Sequence, residues 1–358
     1  MKHLKNPLVW IVVVLIVISV IGYKVMQKTY KQQEAIRYQE AEKVLTLKQY
    51  NLYGVVFIPP ATLWAVGSDG TLLNSIDEGE TWTEQKIGSP EDVFSSISFP
   101  DSMHGWIVGK TGKILKTEDG GKNWACVKKG ENIYYTKVFF LDLEHGWIVG
   151  ESGTLLLTTD GGKNWDSIET EKLMTAFNDV RFVDQNKGWI VGERDMFTGN
   201  GLIMVSTDGG RTWQDQVSGT DKSLISVYPF NADKVWVGGL GGTIFVSADG
   251  GNNWEKRDLK YQEKVIDNHI YRIFEQKSGL RGDRNAIYAL CRSGQHFSTD
   301  SGNSWRGMMM KLETDELLKR GWLYDIVFHP HNEHVGWAVG KWGIVLKSVD
   351  AEKWIRMQ

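Results

Sequence analysis

The sequence predicts an all-β fold, a seven-bladed β-propeller with four-stranded blades, preceded by an N-terminal transmembrane helix and a helical stalk. Three observations predict it. An uninterrupted apolar run, LVWIVVVLIVISVIGY, extends from Leu8 to Tyr23. Behind it a box rich in Gly and Trp recurs seven times. The boxes stand 41 to 51 residues apart, the length of a four-stranded blade rather than of a helical solenoid repeat.

The elements follow in chain order. Residues 1–6 are a tail and 7–25 a membrane anchor, because the run from Leu8 is uncharged and longer than the apolar part of a typical signal peptide. Lys2 and Lys5 precede it and Lys24, Lys28 and Lys31 follow, so flanking charge does not choose an orientation. A short tail inside with the large domain exported is the simpler route, which makes a single-pass membrane protein with an extracytoplasmic propeller the expectation. Residues 26–49 are polar and free of Gly and Pro, and read as a helical stalk or linker.

Residues 50–358 carry the repeat. The boxes are NSIDEGETW, KTEDGGKNW, TTDGGKNW, STDGGRTW, SADGGNNW, STDSGNSW and SVDAEKW, ending at Trp82, Trp124, Trp165, Trp213, Trp254, Trp305 and Trp354. Upstream of each stands a short strand bounded by small residues: LWAVG, GWIVG three times, VWVGG, IYALC and GWAVG. Before these come V-x-F strands such as VFF at 138–140 and VRF at 180–182. Each unit is therefore three strands, an Asp turn and a fourth strand. One such sheet cannot bury both faces alone, whereas a closed ring of seven sandwiches each sheet between neighbours.

The pattern GWIVG-x-x-G-x-I/L-L-x-T-x-D-G-G-K-N-W resembles the BNR or Asp-box propellers, most closely the photosystem II assembly/stability factor-like family. The resemblance covers roughly residues 50–358. It implies a scaffolding or binding role without catalysis, toward a membrane protein or protein complex. IYALC lacks the Gly-Trp pair, and SVDAEKW has lost both glycines and one residue.

Composition narrows the role further. With 41 Lys plus Arg against 44 Asp plus Glu, the net charge is -3, which argues against a nucleic-acid binder. Cys126 and Cys291 make neither a disulfide framework nor a zinc spacing. No Walker A, GxSxG or dinucleotide fingerprint occurs. No cofactor is expected. The aspartates Asp77, Asp119, Asp160, Asp208, Asp249, Asp300 and Asp350 read as structural, since seven turns spread round a rim do not converge on a cation. His329, His331, Glu333 and His334 share one loop, but without a helical HxxxH spacing a metal is not expected there.

Propeller topology sorts the insertions. Asp turns share one face with the loops between strands one and two, and inter-blade connections share the other with the loops between strands two and three. Long segments at 193–202, 256–268 and 306–321 fall on the latter face, over blades four to seven; a fourth, 277–284, falls on the Asp-turn face. Met196, Phe197, Tyr261, Met308, Met309, Met310, Leu317 and Leu318 are the partner-binding candidates, with LETDELLKR after the methionines reading as a short amphipathic helix. Arg281, Arg284 and Arg292 make a basic patch in blade six. At the start of the innermost strands the equivalent positions are Gly54, Ser96, Lys137, Asp179, Ser226, Arg272 and Asp325. From this ring and its neighbours, Lys137, Asp179, Tyr271, Arg272, Tyr324 and Asp325 are the channel-mouth candidates.

Two functions follow. The first is a membrane-anchored, extracytoplasmic binding or scaffold propeller that assists the assembly or stability of a membrane protein complex. The alternative is a sialidase-like or other glycoside hydrolase, or a glycan-binding propeller, for which Asp179 and Asp325 are the best carboxylates and YRIFEQ at 271–276 the only faint sialidase-like motif.

Overall fold

The computed structural model describes residues 50–130, 133–170, 172, 174–195, 200–261, 264–265, 269–277, 285–291, 294–308, 322–348 and 354–357. The anchor and stalk segments lie outside these. Among the described residues no helix is long and apolar enough to cross a membrane.

Residues 49–358 form one compact unit built of seven four-stranded antiparallel sheets, each made of consecutive strands. The innermost strands are Leu52–Ile58, Phe94–Ser98, Tyr135–Phe140, Ala176–Phe182, Leu224–Pro229, Ile270–Lys277 and Leu323–His329. Each touches the innermost strand of the next blade, and the seventh touches the first, so the ring is closed. The first and last blades, Leu52–Lys86 and Leu323–Arg356, are each contiguous in sequence. Closure therefore uses no strand exchanged between the termini.

Inter-blade aromatic packing explains why the two sequence motifs travel together. Trp106 of blade two stacks on Phe140 of blade three with ring centroids 3.6 Å apart, and Phe140 meets Trp165 edge-on at 5.8 Å. Trp147, Phe182 and Trp213 repeat the arrangement one blade later, at 3.7 and 5.8 Å. The Trp of one blade's second strand thus packs against the V-x-F Phe and box Trp of the next. Blade six lacks this Trp, and Tyr288 replaces it, lying 5.9 Å from Phe328.

Each described Asp turn is locked locally. In blade two the Thr117 hydroxyl accepts from the Gly121 amide at 2.9 Å and donates to Asp119 at 2.9 Å. Asp119 in turn accepts from the Asn123 amide and side chain at 2.9 and 2.7 Å. These bonds from Asn123 hold the Asp119 carboxyl down at about 2. The same hydroxyl-to-carboxylate contact recurs at Asp77, Asp160, Asp208, Asp249 and Asp300. Asp350 lies outside the described residues, although Trp354 still pairs with Ser348 in a fourth strand of blade seven.

Several expected loops change identity. Lys256 to Asp258 belong to the outermost strand of blade five, Glu255–Asp258. Arg306–Met308 is the outermost strand of blade six, where Met308 pairs with Gln295. Met308 thus belongs to a sheet edge instead of an insertion, because it completes the four-strand count of its blade. Tyr261 sits in a two-residue strand, Lys260–Tyr261, paired with Lys264–Val265.

Candidate functional site: the channel and its mouth

The two faces are fixed by backbone bonds. On the Asp-turn face, Gly120 donates to Met103 O at 2.8 Å and Gly161 to Glu144 O at 3.0 Å, tying each turn to its own loop between strands one and two. On the other face, Ser68 donates to Asn51 O and Lys341 to Trp322 O, at 2.9 and 2.8 Å, so the innermost strands begin there.

Every innermost strand carries a register shift near that beginning, between Leu52 and Gly54 in blade one and between Leu323 and Asp325 in blade seven, with equivalents in the other five. An extra residue in one strand of a pair re-aims its neighbours. Each blade thereby presents two adjacent residues, a bulge residue and a ring residue.

The bulge residues fall into two groups of three, with Ile225 of blade five between them. Ser95 donates to Tyr135 O of the next blade at 2.6 Å, Thr136 donates to Phe177 O, and Asn178 donates to Leu224 O at 2.7 Å. These small polar side chains clasp blade to blade. Blades six, seven and one instead carry Tyr271, Tyr324 and Tyr53. Tyr324 lies 5.8 Å from Tyr271, edge-on, and 5.3 Å from Tyr53. Burial, with Tyr53 and Tyr271 alongside, pushes the Tyr324 phenol up to about 12. Asn51 extends the cluster, donating to the Tyr53 hydroxyl at 3.2 Å and accepting from the Trp342 amide at 3.1 Å. Lys341 sits over the rings of both Trp322 and Trp342, 5.6 and 4.6 Å from their centroids. Tyr53 escaped the sequence reading, though it precedes Gly54 as Tyr271 precedes Arg272 and Tyr324 precedes Asp325.

Ring residues are mostly acceptors for the following blade. Ser96 accepts from Val138 N at 3.3 Å, Asp179 from Val227 N at 3.1 Å, Ser226 from Ile273 N at 3.2 Å and Asp325 from Val55 N at 3.1 Å. Lys137 and Arg272 have no acceptor to offer, and the blade after each carries an aspartate that also accepts its own following amide. Val180 N donates to Asp179 and Ile326 N to Asp325, both at 3.0 Å.

These aspartates come from blades four and seven, yet one guanidinium reaches both: Arg272 of blade six lies 3.8 Å from Asp179 and 3.7 Å from Asp325. Arg181 adds a second cation 3.5 Å from Asp179 and lies over Phe139. Lys137 completes the group. Burial, then Arg272, lowers its ammonium to about 8 although Asp179 and Asp325 pull the other way. It keeps partial exposure along the channel while the wall strips much of its hydration.

This geometry is unsuited to glycoside hydrolysis. A general acid must carry an exchangeable proton toward the leaving oxygen. In Asp179 and Asp325 both carboxylate oxygens accept backbone amides, and their side chains are only 4% and 10% exposed.

Elsewhere, His329 accepts from the His331 amide through Nδ1 at 3.1 Å and packs on Phe57 at 4.9 Å. Among the described residues no group of three His, Cys, Asp or Glu side chains could hold a metal ion. Met196, Phe197, Met309, Met310, Leu317, Leu318 and the arginines Arg281, Arg284 and Arg292 lie outside the described residues, as does LETDELLKR.

Residues 87–175 and 169–316 match the family described as photosynthesis system II assembly factor YCF48, which together is more than half of the chain. This chain belongs to that family. Its members are assembly factors and not enzymes, in keeping with the capped aspartates of the channel. Over 56 residues the chain is 41% identical to the photosystem II assembly lipoprotein Ycf48 of Prochlorococcus marinus (strain NATL2A), a stretch covering 15% of this chain and 17% of that protein. The solved structure of YCF48 bound to D1 peptide superposes with a TM-score of 0.64 at 20% identity, covering 84% of this chain and 94% of the other. YCF48 from Cyanidioschyzon merolae gives 0.65 at 21% identity, covering 84% and 96%. At these identities the likeness to solved structures speaks for the fold alone.

Proposed function

We propose that this protein is a membrane-anchored, extracytoplasmic binding propeller that assists the assembly or stability of a membrane protein complex. Membership of an assembly-factor family carries this reading. The apolar run from Leu8 to Tyr23 supplies the anchor, and the partner is a polypeptide segment of a membrane protein subunit, as the D1 peptide is for the YCF48 named above. It docks on the face opposite the Asp turns. There Tyr53, Tyr271, Tyr324, Trp322 and Trp342 offer partly exposed aromatic rings, the residue types that dominate binding energy at protein interfaces.

The test is capture of the full-length protein from its native membranes after brief crosslinking. A membrane protein subunit should be recovered in stoichiometric amount. Tyr271→Ala with Tyr324→Ala should lower that recovery tenfold or more. Replacing residues 309–321 by a short Gly-Ser linker probes the adjoining insertion while sparing Arg306–Met308. Recovery of the propeller alone, or undiminished capture by the double tyrosine variant and the linker variant, would overturn this reading.

A further inference from the structure

The channel holds more positive charge than its partners neutralise. Lys137, Arg181 and Arg272 face two carboxylates, Asp179 and Asp325. The separations from the guanidinium groups to these carboxylates are 3.5 to 3.8 Å, longer than the roughly 2.7–3.2 Å of a hydrogen bond. Among the described residues Lys137 makes neither a hydrogen bond nor an ion pair. A guanidinium carries five N–H donors and an ammonium three. Here those donors stand together while both carboxylates are turned to backbone amides of neighbouring strands. Arg181 and Arg272 are each 20% exposed, so the group is enclosed yet reachable along the channel.

Desolvated cations without hydrogen-bonded acceptors are costly to maintain. An oxyanion would relieve this, since it offers several acceptor lone pairs and cancels the surplus charge. A cation would meet three like charges, and an apolar ligand would leave the donors unsatisfied. We propose that the channel behind the tyrosine rim binds a small oxyanion, of carboxylate or sulfate type, seated among Lys137, Arg181 and Arg272. The two aspartates are positioning residues that hold Arg272 and Arg181 from one side. This site is separate from the partner surface and stands whether or not that surface is used.

Its binding depends on pH in a defined direction. The groups facing Lys137 from the surrounding strands are Asp179 and Arg181 of blade four, Arg272 of blade six and Asp325 of blade seven; blades one, two and five present Gly54, Ser96 and Ser226, and the Tyr228 hydroxyl donates to Glu275 O. Lys137, with its ammonium at about 8, is mostly charged at pH 7 and mostly neutral at pH 9.

The experiment is calorimetric titration of the full-length protein with sodium sulfate and with sodium acetate, in chloride-free buffer at pH 7 and pH 9. Both probes stay ionised over that range, and the preferred one separates a tetrahedral from a planar site. One saturable site is expected at pH 7, weakened about tenfold at pH 9. Lys137→Met should weaken binding tenfold or more while keeping the wild-type circular dichroism, since the ammonium holds no bond in the fold. Lys137→Arg should bind equally at both pH values, and Lys116→Met, a lysine paired with Glu118 near the Asp turn, should bind as wild type. No saturable binding of either probe, undiminished binding by Lys137→Met, or pH-independent binding by wild type would overturn the proposal.

Discussion

His296 is out of place in its blade. It pairs with Ala289 in the third strand of blade six, where the corresponding residues of the other blades are Leu73, Leu115, Leu156, Met204, Phe245 and Leu346. His296 is 7% exposed, and burial lowers its imidazole to about 4 from 6.5. Beside it, Gln295 is fully buried with neither amide atom hydrogen-bonded. Because the folded pKa of His296 is depressed, unfolded chains take up the proton first as the medium is acidified. Its contribution is fully present above about pH 6.5 and lost as pH falls through 4. The expected loss between pH 7 and pH 4 is of order 3 kcal/mol. Urea unfolding across that range should show it, and His296→Leu should flatten the 6.5-to-4 portion; an identical slope in that variant would refute it.

At the scale of the element, the Asp turn keys one blade to the next. Gly121 has φ 89°, and a Cβ there would lie 2.3 Å from Cζ2 of Trp64 in the preceding blade. Gly162 faces Trp106, Gly210 faces Trp147, and Gly79 faces Trp337 across the ring seam, each in the same way. The second box glycine therefore does two jobs, adopting the left-handed conformation and admitting the neighbour's indole. Gly121→Ala should cost on the order of 3 kcal/mol, from backbone strain plus a displaced Trp64. Gly219→Ala, at φ 72° with nothing within 4 Å, carries the strain alone and should cost visibly less. Equal losses in chemical denaturation would show that the indole contact contributes nothing. This coupling also explains what was legible in the sequence. Gly and Trp at fixed spacing are demanded by backbone conformation and close approach, so the repeat, the blade count and the Asp turns could be read directly. The tyrosine rim was only half legible, because register shifts decide which residues face the channel, and such shifts leave no mark in an alternating pattern. Tyr271 and Tyr324 stood beside charged ring residues, whereas Tyr53 stood beside Gly54 and gave no such cue. Met308 was misplaced because the fourth strand of blade six is only three residues long, so the strand and the segment after it read as one insertion.

At the scale of the whole molecule, the ring must close without a strand shared between its ends, so side chains carry the seam between blades seven and one. Trp337 donates to Glu78 O at 2.9 Å, Lys347 to Glu80 at 2.6 Å, and Phe57 stacks on Trp337 at 4.9 Å. At the inner edge the Val55 amide donates to Asp325. That carboxylate is also within 3.7 Å of Arg272, so it joins blades six, seven and one in a single contact. Ser96 does a smaller version of the job between blades two and three, accepting a neutral hydrogen bond from Val138 N at 3.3 Å and donating a long one to Val138 O at 3.5 Å. Asp325→Ala removes the acceptor of two buried amides and one of the two carboxylates near Arg272, and should cost about 2–4 kcal/mol. Ser96→Ala should cost about 1 kcal/mol. Hydrogen exchange localises the difference: the Val55 and Ile326 amides should lose protection in the first variant, and Val138 in the second. If Asp325→Ala proved no more harmful than Ser96→Ala, the apolar packing of Trp337 and Phe57 would by itself be sufficient to hold the seam, and the ring aspartates would be released to act chiefly as counterions to the channel cations.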